Sequence, residues 1–187
     1  MLVSLFVCLS VLTAYGQQID AAFGVSTVSS TSGASASGNY FPQNVGGGAF
    51  PGFSADFLLF HHLGAEGEVF WRAGQNSYAG SQPFRPIFIA FNAIWVQPIV
   101  SRLAIEALAG LGAESVRFYQ PFLNVNFTNY TSQNHFMGDV GGGVRLYVTP
   151  HVFIRPEVRL YLVHDNFQFS SGHATRLGAS LGYSFGK

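Results

Sequence analysis

Charge is what this sequence has least of. Only 18 of its 187 residues are Asp, Glu, Lys or Arg, which is 10% where a soluble domain carries roughly a quarter. Nine acidic and nine basic residues cancel, so no net field points to nucleic acid or an anionic surface as partner. Cysteine occurs once, as Cys8, which excludes a disulfide framework and a cysteine-ligated metal. The six histidines are scattered without metal-ligand spacing, and no cofactor is expected. Long apolar runs are missing as well. Leu2 to Leu12 falls short of the ~20 residues that a membrane helix needs.

What that run does fit is a secretory signal. It is closed by Thr13-Ala14-Tyr15-Gly16, with small residues Ala14 and Gly16 at the cleavage positions, although no Lys or Arg opens it. Residues 1–16 are therefore expected to leave, Cys8 with them, and 17–187 to form one domain. An intact mass beginning at Gln17 or Gln18 is the expected result. A mass that still contained Leu2 to Gly16 would overturn it.

The rest of the chain repeats one pattern, clearest from Phe136 to Val163. Every second residue there is uncharged (Val140, Val144, Leu146, Val148, Ile154, Val158, Leu160, Leu162), and the intervening set carries Asp139, Arg145, Arg155, Glu157 and Arg159 among glycines. A period of two means strands. The same alternation begins at Ile19, Phe53, Leu63, Ile87, Leu103 and Thr175, which makes eight strands. Brief breaks at His61-His62, Gln97-Pro98 and Thr149-Pro150-His151 alternate with long polar stretches, 29–48, 73–86, 117–135 and 164–173, read as loops. Across each short break the apolar residues keep one parity (Leu59 and Leu63, Trp95 and Leu103, Leu146 and Ile154), so the apolar faces join into one surface.

Of the 18 charges, 13 fall on the other face or at its ends: Asp20, Asp56, Glu66, Glu68, Glu106, Glu114, Asp139 and Glu157, with Arg72, Arg145, Arg155, Arg159 and Arg176. A soluble, lipocalin-like barrel would bury the apolar face, but its outer face would need dense charge that this chain lacks. A membrane barrel turns the apolar face to lipid and encloses the charges. Gly110, Gly112, Gly141, Gly143, Gly178 and Gly182 share the charged face, as suits an eight-stranded interior barely wide enough for its own side chains. The fold class expected is thus all-β, an eight-stranded antiparallel up-and-down transmembrane barrel.

VGGGVRLYVTPHVFIRPEVRLYL, LAIEALAGLG and the closing LGASLGYSF, in that spacing over 17–187, resemble the OmpA-like small outer-membrane β-barrels that lack a peptidoglycan-binding domain. The resemblance implies residence in the bacterial outer membrane, contact with outer-membrane lipid and lipopolysaccharide, and a monomer inserted by the barrel-assembly machinery. It implies that Tyr183 and Phe185 form the insertion signal, with Gly186 and Lys187 trailing where the family ends on its aromatic. It implies a non-enzymatic surface protein whose loops meet an extracellular ligand. A narrow ion pore and a lipid A-modifying enzyme are the alternatives. For the enzyme, His164 with Ser170 or Ser171 and Asp165 would be the candidate group, though geometry must precede a catalytic assignment.

Buried charges persist only when paired, so Glu66, Glu68, Glu106, Arg145, Arg155, Glu157, Arg159 and Arg176 are expected to form a lumen network that closes the barrel. A turn centred on Pro150 would set Arg145 opposite Arg155, and one centred on His151 would set it opposite Glu157. Charge favours the second register, and removal of Glu157 should then strand an arginine. Pro156 has no N–H to give a ladder and predicts a local bulge.

Overall fold

The alternating pattern folds into a sheet that closes on itself. The computed structural model describes residues 17–30, 44–59, 62–78, 82–119, 130–165, 169 and 172–186; the segment read as a signal lies outside them. The strands are β1 (Gln18–Ser30), β2 (Phe50–Leu59), β3 (Leu63–Trp71), β4 (Asn76–Tyr78), β5 (Gln82–Val100), β6 (Leu103–Tyr119), β7 (Tyr130–Tyr147), β8 (Val152–Val163) and β9 (His173–Phe185). Chain neighbours pair antiparallel, except β3 with β4. β1 also pairs with β9, and β3 with β5. Because β4 continues the line of β3 along β5 after a break at 72–75, nine strands make a barrel of eight staves, closed through the β1–β9 and β3–β5 pairings.

Two of the expected loops are partly ladder. β5 begins at Gln82, β6 runs to Tyr119 and β7 starts at Tyr130, so Phe84 pairs with Phe118, and Phe118 with Thr131, inside stretches read as loops. The apolar alternation stops there because the outward positions become polar (Arg85, Arg117, Ser132, Asn134), yet backbone pairing continues. At the other end β5 runs through Gln97-Pro98, and the tight turn is Ser101-Arg102. The register shifts between Pro98 and Val100, which accommodates a residue that cannot donate to the ladder.

No such shift occurs at Pro156. The β7–β8 ladder omits the two pairs between Gly143↔Glu157 and Leu146↔Ile154 and resumes in the same register, while Pro156 stays paired with Ala179 on β9. That register is centred on Pro150, so Arg145 and Arg155 lie at one level and the electrostatic argument for the other register fails. Arg145 is neutralised instead by Glu106 of β6, on the other side of β7, and by Asp20 and Asp56 from across the barrel.

The apolar face is outside. Phe91, Leu181 and Phe136 are 73%, 60% and 58% exposed, whereas Arg145, Arg155, Arg159 and Arg176 are 0% exposed. Between the rims of this wall no outward-facing described residue is charged. Tryptophan and tyrosine mark its edges, with Trp95 and Tyr183 near the tight turns and Trp71 at the far end of β3, as interfacial aromatics do in membranes.

Inside, apolar side chains lie on both sides of the charges. Leu58, Ile94, Val96, Ala104, Leu108, Tyr147 and Phe153 pack together at the turn end. Val28, Phe50, Phe88, Ala90, Met137, Tyr161, Val163 and Ala174 form a second cluster toward the loop end. Beyond it Val45, Phe84, Val116, Phe118 and Phe169 form an aromatic cap, joined by Tyr78. Glycine lets the wall approach its own filling: a Cβ on Gly141 would lie 2.6 Å from Arg159 Cδ, closer than packed carbons come.

Candidate functional site: the ion-pair network in the lumen

Inward positions on adjacent strands stand directly opposite one another, and in a narrow barrel residues across the lumen are as near as those on the next strand. Arg145, on β7, therefore reaches carboxylates from three other strands. Its Nη1 meets Asp20 of β1, its Nη2 lies 2.6 Å from Asp56 Oδ2 of β2, and its Nε lies 2.7 Å from Glu106 Oε2 of β6. Asp20 accepts a further bond from Gln18 Nε2 at 2.7 Å.

Arg155 comes next. Its Nη1 donates to Glu66 Oε2 at 3.1 Å and Asp56 Oδ2 at 3.2 Å, and its other nitrogens reach Ser54 Oγ at 2.5 Å and Ser180 Oγ at 3.2 Å. Arg159 holds Glu66 (2.9 Å), Glu157 (3.1 Å) and Asp139 (3.2 Å). Arg176 ends the chain of pairs on Glu68 (2.8 Å) and Glu157 (3.1 Å), with its guanidinium 3.6 Å over the Phe70 ring. Tyr161 donates its hydroxyl to Glu68 Oε1 at 2.9 Å.

All eight residues expected in the network thus meet, and the geometry adds Asp20, Asp56 and Asp139. Glu114 is buried and stands opposite His135 across the β6–β7 ladder. Arg72 departs from expectation: it sits at the loop-end mouth beside Gly48 and makes no ion pair among the described residues.

Sequence reasoning missed Asn92. Its amide donates to Asp139 Oδ2 at 2.8 Å and Glu66 Oε1 at 3.1 Å, and so holds two carboxylates that would otherwise face each other. The available signal was its place on the inward face between Ala90 and Ile94. Asn92→Leu keeps the volume and removes both charge-assisted bonds. A loss of about 1.5–3 kcal/mol is expected, measured by urea unfolding in micelles.

The side chains in these ion pairs are at most 2% exposed. The network is buried, fixed from several strands and bounded above and below by apolar clusters, an arrangement suited to filling space and holding the barrel's shape. The candidate enzymatic group looks different. His164 Nε2 lies 3.0 Å from Asp165 Oδ2, with both side chains largely exposed at 73% and 64%, while Ser170 and Ser171 lie outside the described residues. Tyr183 and Phe185 both face outward on the last strand, their rings 4.7 Å apart.

No protein-family model matches the sequence, and no curated protein matches it either. Solved structures do. Neisserial surface protein A is 18% identical, covering 91% of this chain and 97% of its own, with a TM-score of 0.64. The N-terminal β-barrel domain of Pseudomonas aeruginosa OprF is 15% identical over 91% and 98%, with a TM-score of 0.57. The fold is that of the small eight-stranded outer-membrane β-barrels. A third match is Ail, the attachment invasion locus protein of Yersinia pestis, in complex with the heparin analogue sucrose octasulfate; it is 14% identical over 90% and 97%, with a TM-score of 0.53. At such identities this outer-membrane barrel fold is what is shared, and the role of the lumen and loops must be argued from the residues.

Proposed function

We propose that this chain is a non-enzymatic surface protein of the bacterial outer membrane, a closed barrel that holds four loop segments outside the cell for adhesion, host contact or envelope integrity. One observation carries the reading. The lumen is filled in series by an apolar cluster, a buried ion-pair network, a second apolar cluster and an aromatic cap, so the barrel's interior is used for support. The cap favours presentation, because it ties together residues from the segments after β1 (Val45), β3 (Tyr78) and β8 (Phe169).

In this reading 1–16 is the signal, Tyr183 and Phe185 present the outward aromatics to the assembly machinery, and the inserted protein is a monomer. The loop end faces outward. Protease added to intact cells should cut between Ser30 and Asn44 or between Tyr119 and Tyr130 and spare the tight turns. Cuts at His62 or at Thr149-Pro150 would invert the topology. Crosslinking from those two loops on intact cells then identifies what they meet.

A further inference from the structure

All nine acids of the chain are accounted for: eight are buried in the barrel, and Asp165 lies beside His164. Only four of the nine basic groups, Arg145, Arg155, Arg159 and Arg176, are buried with them. The remaining cations lie elsewhere, and two of them are placed together. Arg85 on β5 and Arg117 on β6 are cross-strand partners. Both point outward, since their neighbours Phe84, Val116 and Phe118 point into the aromatic cap. Like charges directly opposite each other destabilise a strand pair, and no acid remains in the sequence to separate them.

The surroundings say what would. Arg117 lies over the Tyr130 ring at 4.7 Å and Arg85 over the Tyr119 ring at 5.8 Å, so the tyrosines support both guanidinium planes. Arg85 Nη2 donates to Ala73 O at 3.2 Å, while the buried Nε of each arginine has no hydrogen-bond partner among the described residues. Ser132 on β7 stands opposite Arg117 and extends the polar row. One outward step down β5 the wall is apolar at Ile87, which pairs with Trp71; on β6 Ser115, opposite Asn134, comes first, and the apolar wall begins two steps down at Ala113, paired with Phe136. The arginine pair therefore sits at the boundary where acyl chains end and headgroups begin.

We propose that Arg85 and Arg117 form a binding site for a phosphate group of an outer-leaflet glycolipid, clamped by the two guanidinium forks while its acyl chains run down the wall past Ile87, Ile89 and Leu111. The site rests on the orientation proposed above, in which the loop end faces outward.

The test uses the whole barrel in zwitterionic micelles, followed by tryptophan fluorescence, and compares lipid A, enzymatically dephosphorylated lipid A and inorganic phosphate. Saturable binding of lipid A only is expected, weakened roughly tenfold per arginine in R85Q and R117Q and unchanged in R102Q, which removes one charge at the turn end. Equal binding of dephosphorylated lipid A, an equal response to inorganic phosphate, or an equal loss in R102Q would overturn the proposal. Retained fast mobility of the unboiled protein on a detergent gel shows that a variant has folded. If the glutamine variants do not fold, R85K/R117K keeps the charge and loses the fork, so weaker but still phosphate-dependent binding is expected and unchanged binding overturns it. Micelles impose no sidedness, so failure here is distinct from an inverted topology in the protease experiment.

Discussion

Arg145→Met is expected to cost about 3–5 kcal/mol, the penalty for removing one partner from a buried ion pair, while Glu157→Gln should cost no more than ~1 kcal/mol. The asymmetry follows from the count of charges in the lumen. Seven carboxylates share four arginines in the network, so cations are the scarce partner. Arg145 holds three acids, and Asp20 touches no other arginine among the described residues. Methionine has comparable length without charge: it would leave Asp20 buried with no arginine, and Asp56 and Glu106 with Arg155 alone. Glu157 contacts Arg155, Arg159 and Arg176, but each keeps another acid: Glu66 for Arg155 and Arg159, and Glu68 for Arg176. Removing Glu157 therefore strands no arginine, contrary to the expectation from facing-strand register. Urea unfolding in micelles, with tryptophan fluorescence as the readout, measures both. Equal losses in the two variants would show that acid excess does not govern this network.

The difference between those two expectations marks where sequence reading stops. Period-two alternation needs only strand geometry, so the eight staves, the lipid-facing side and the inward placement of Arg145 or Glu66 were legible without coordinates. Partner choice was not. A register argument compares residues across one turn, but Arg145 is neutralised by Glu106 of β6, on the other side of β7, and by Asp20 of β1 and Asp56 of β2, which reach it only once the barrel has closed. Strand ends failed for a related reason: Arg85 and Arg117 end the apolar alternation, yet the backbone ladder passes beneath them because pairing does not depend on what the wall faces. The apolar clusters were within reach. Leu58, Ile94 and Leu108 at one end and Phe88 and Met137 at the other stand on the inward face, where they interrupt a row otherwise rich in charge and glycine.

Those clusters change what opening the barrel would require. With the ion pairs as the sole plug, removing one acid would admit water and ions. With apolar clusters on both sides, the barriers stand in series, and an ion crossing the network still meets Tyr147 and Phe153 below and Phe50, Phe88 and Tyr161 above. Dehydrating an ion to pass an apolar constriction is costly, so the intact layers should dominate the resistance. The wild type in a planar bilayer is expected to show no steady conductance, and Glu106→Ala alone should show none either. Phe88→Ser with Phe153→Ser widens both apolar layers and leaves the ion pairs in place, and flicker at most is expected. Adding Glu106→Ala to that pair should give a steady, cation-preferring current, because the acids remaining in the lumen outnumber its four arginines. Each aromatic removed costs about 3–5 kcal/mol of packing, so fast gel mobility must first show that the triple variant has folded. A large steady current in the wild type, or one opened by Glu106→Ala alone, would show that the apolar layers do not seal the lumen and would favour the ion-pore reading.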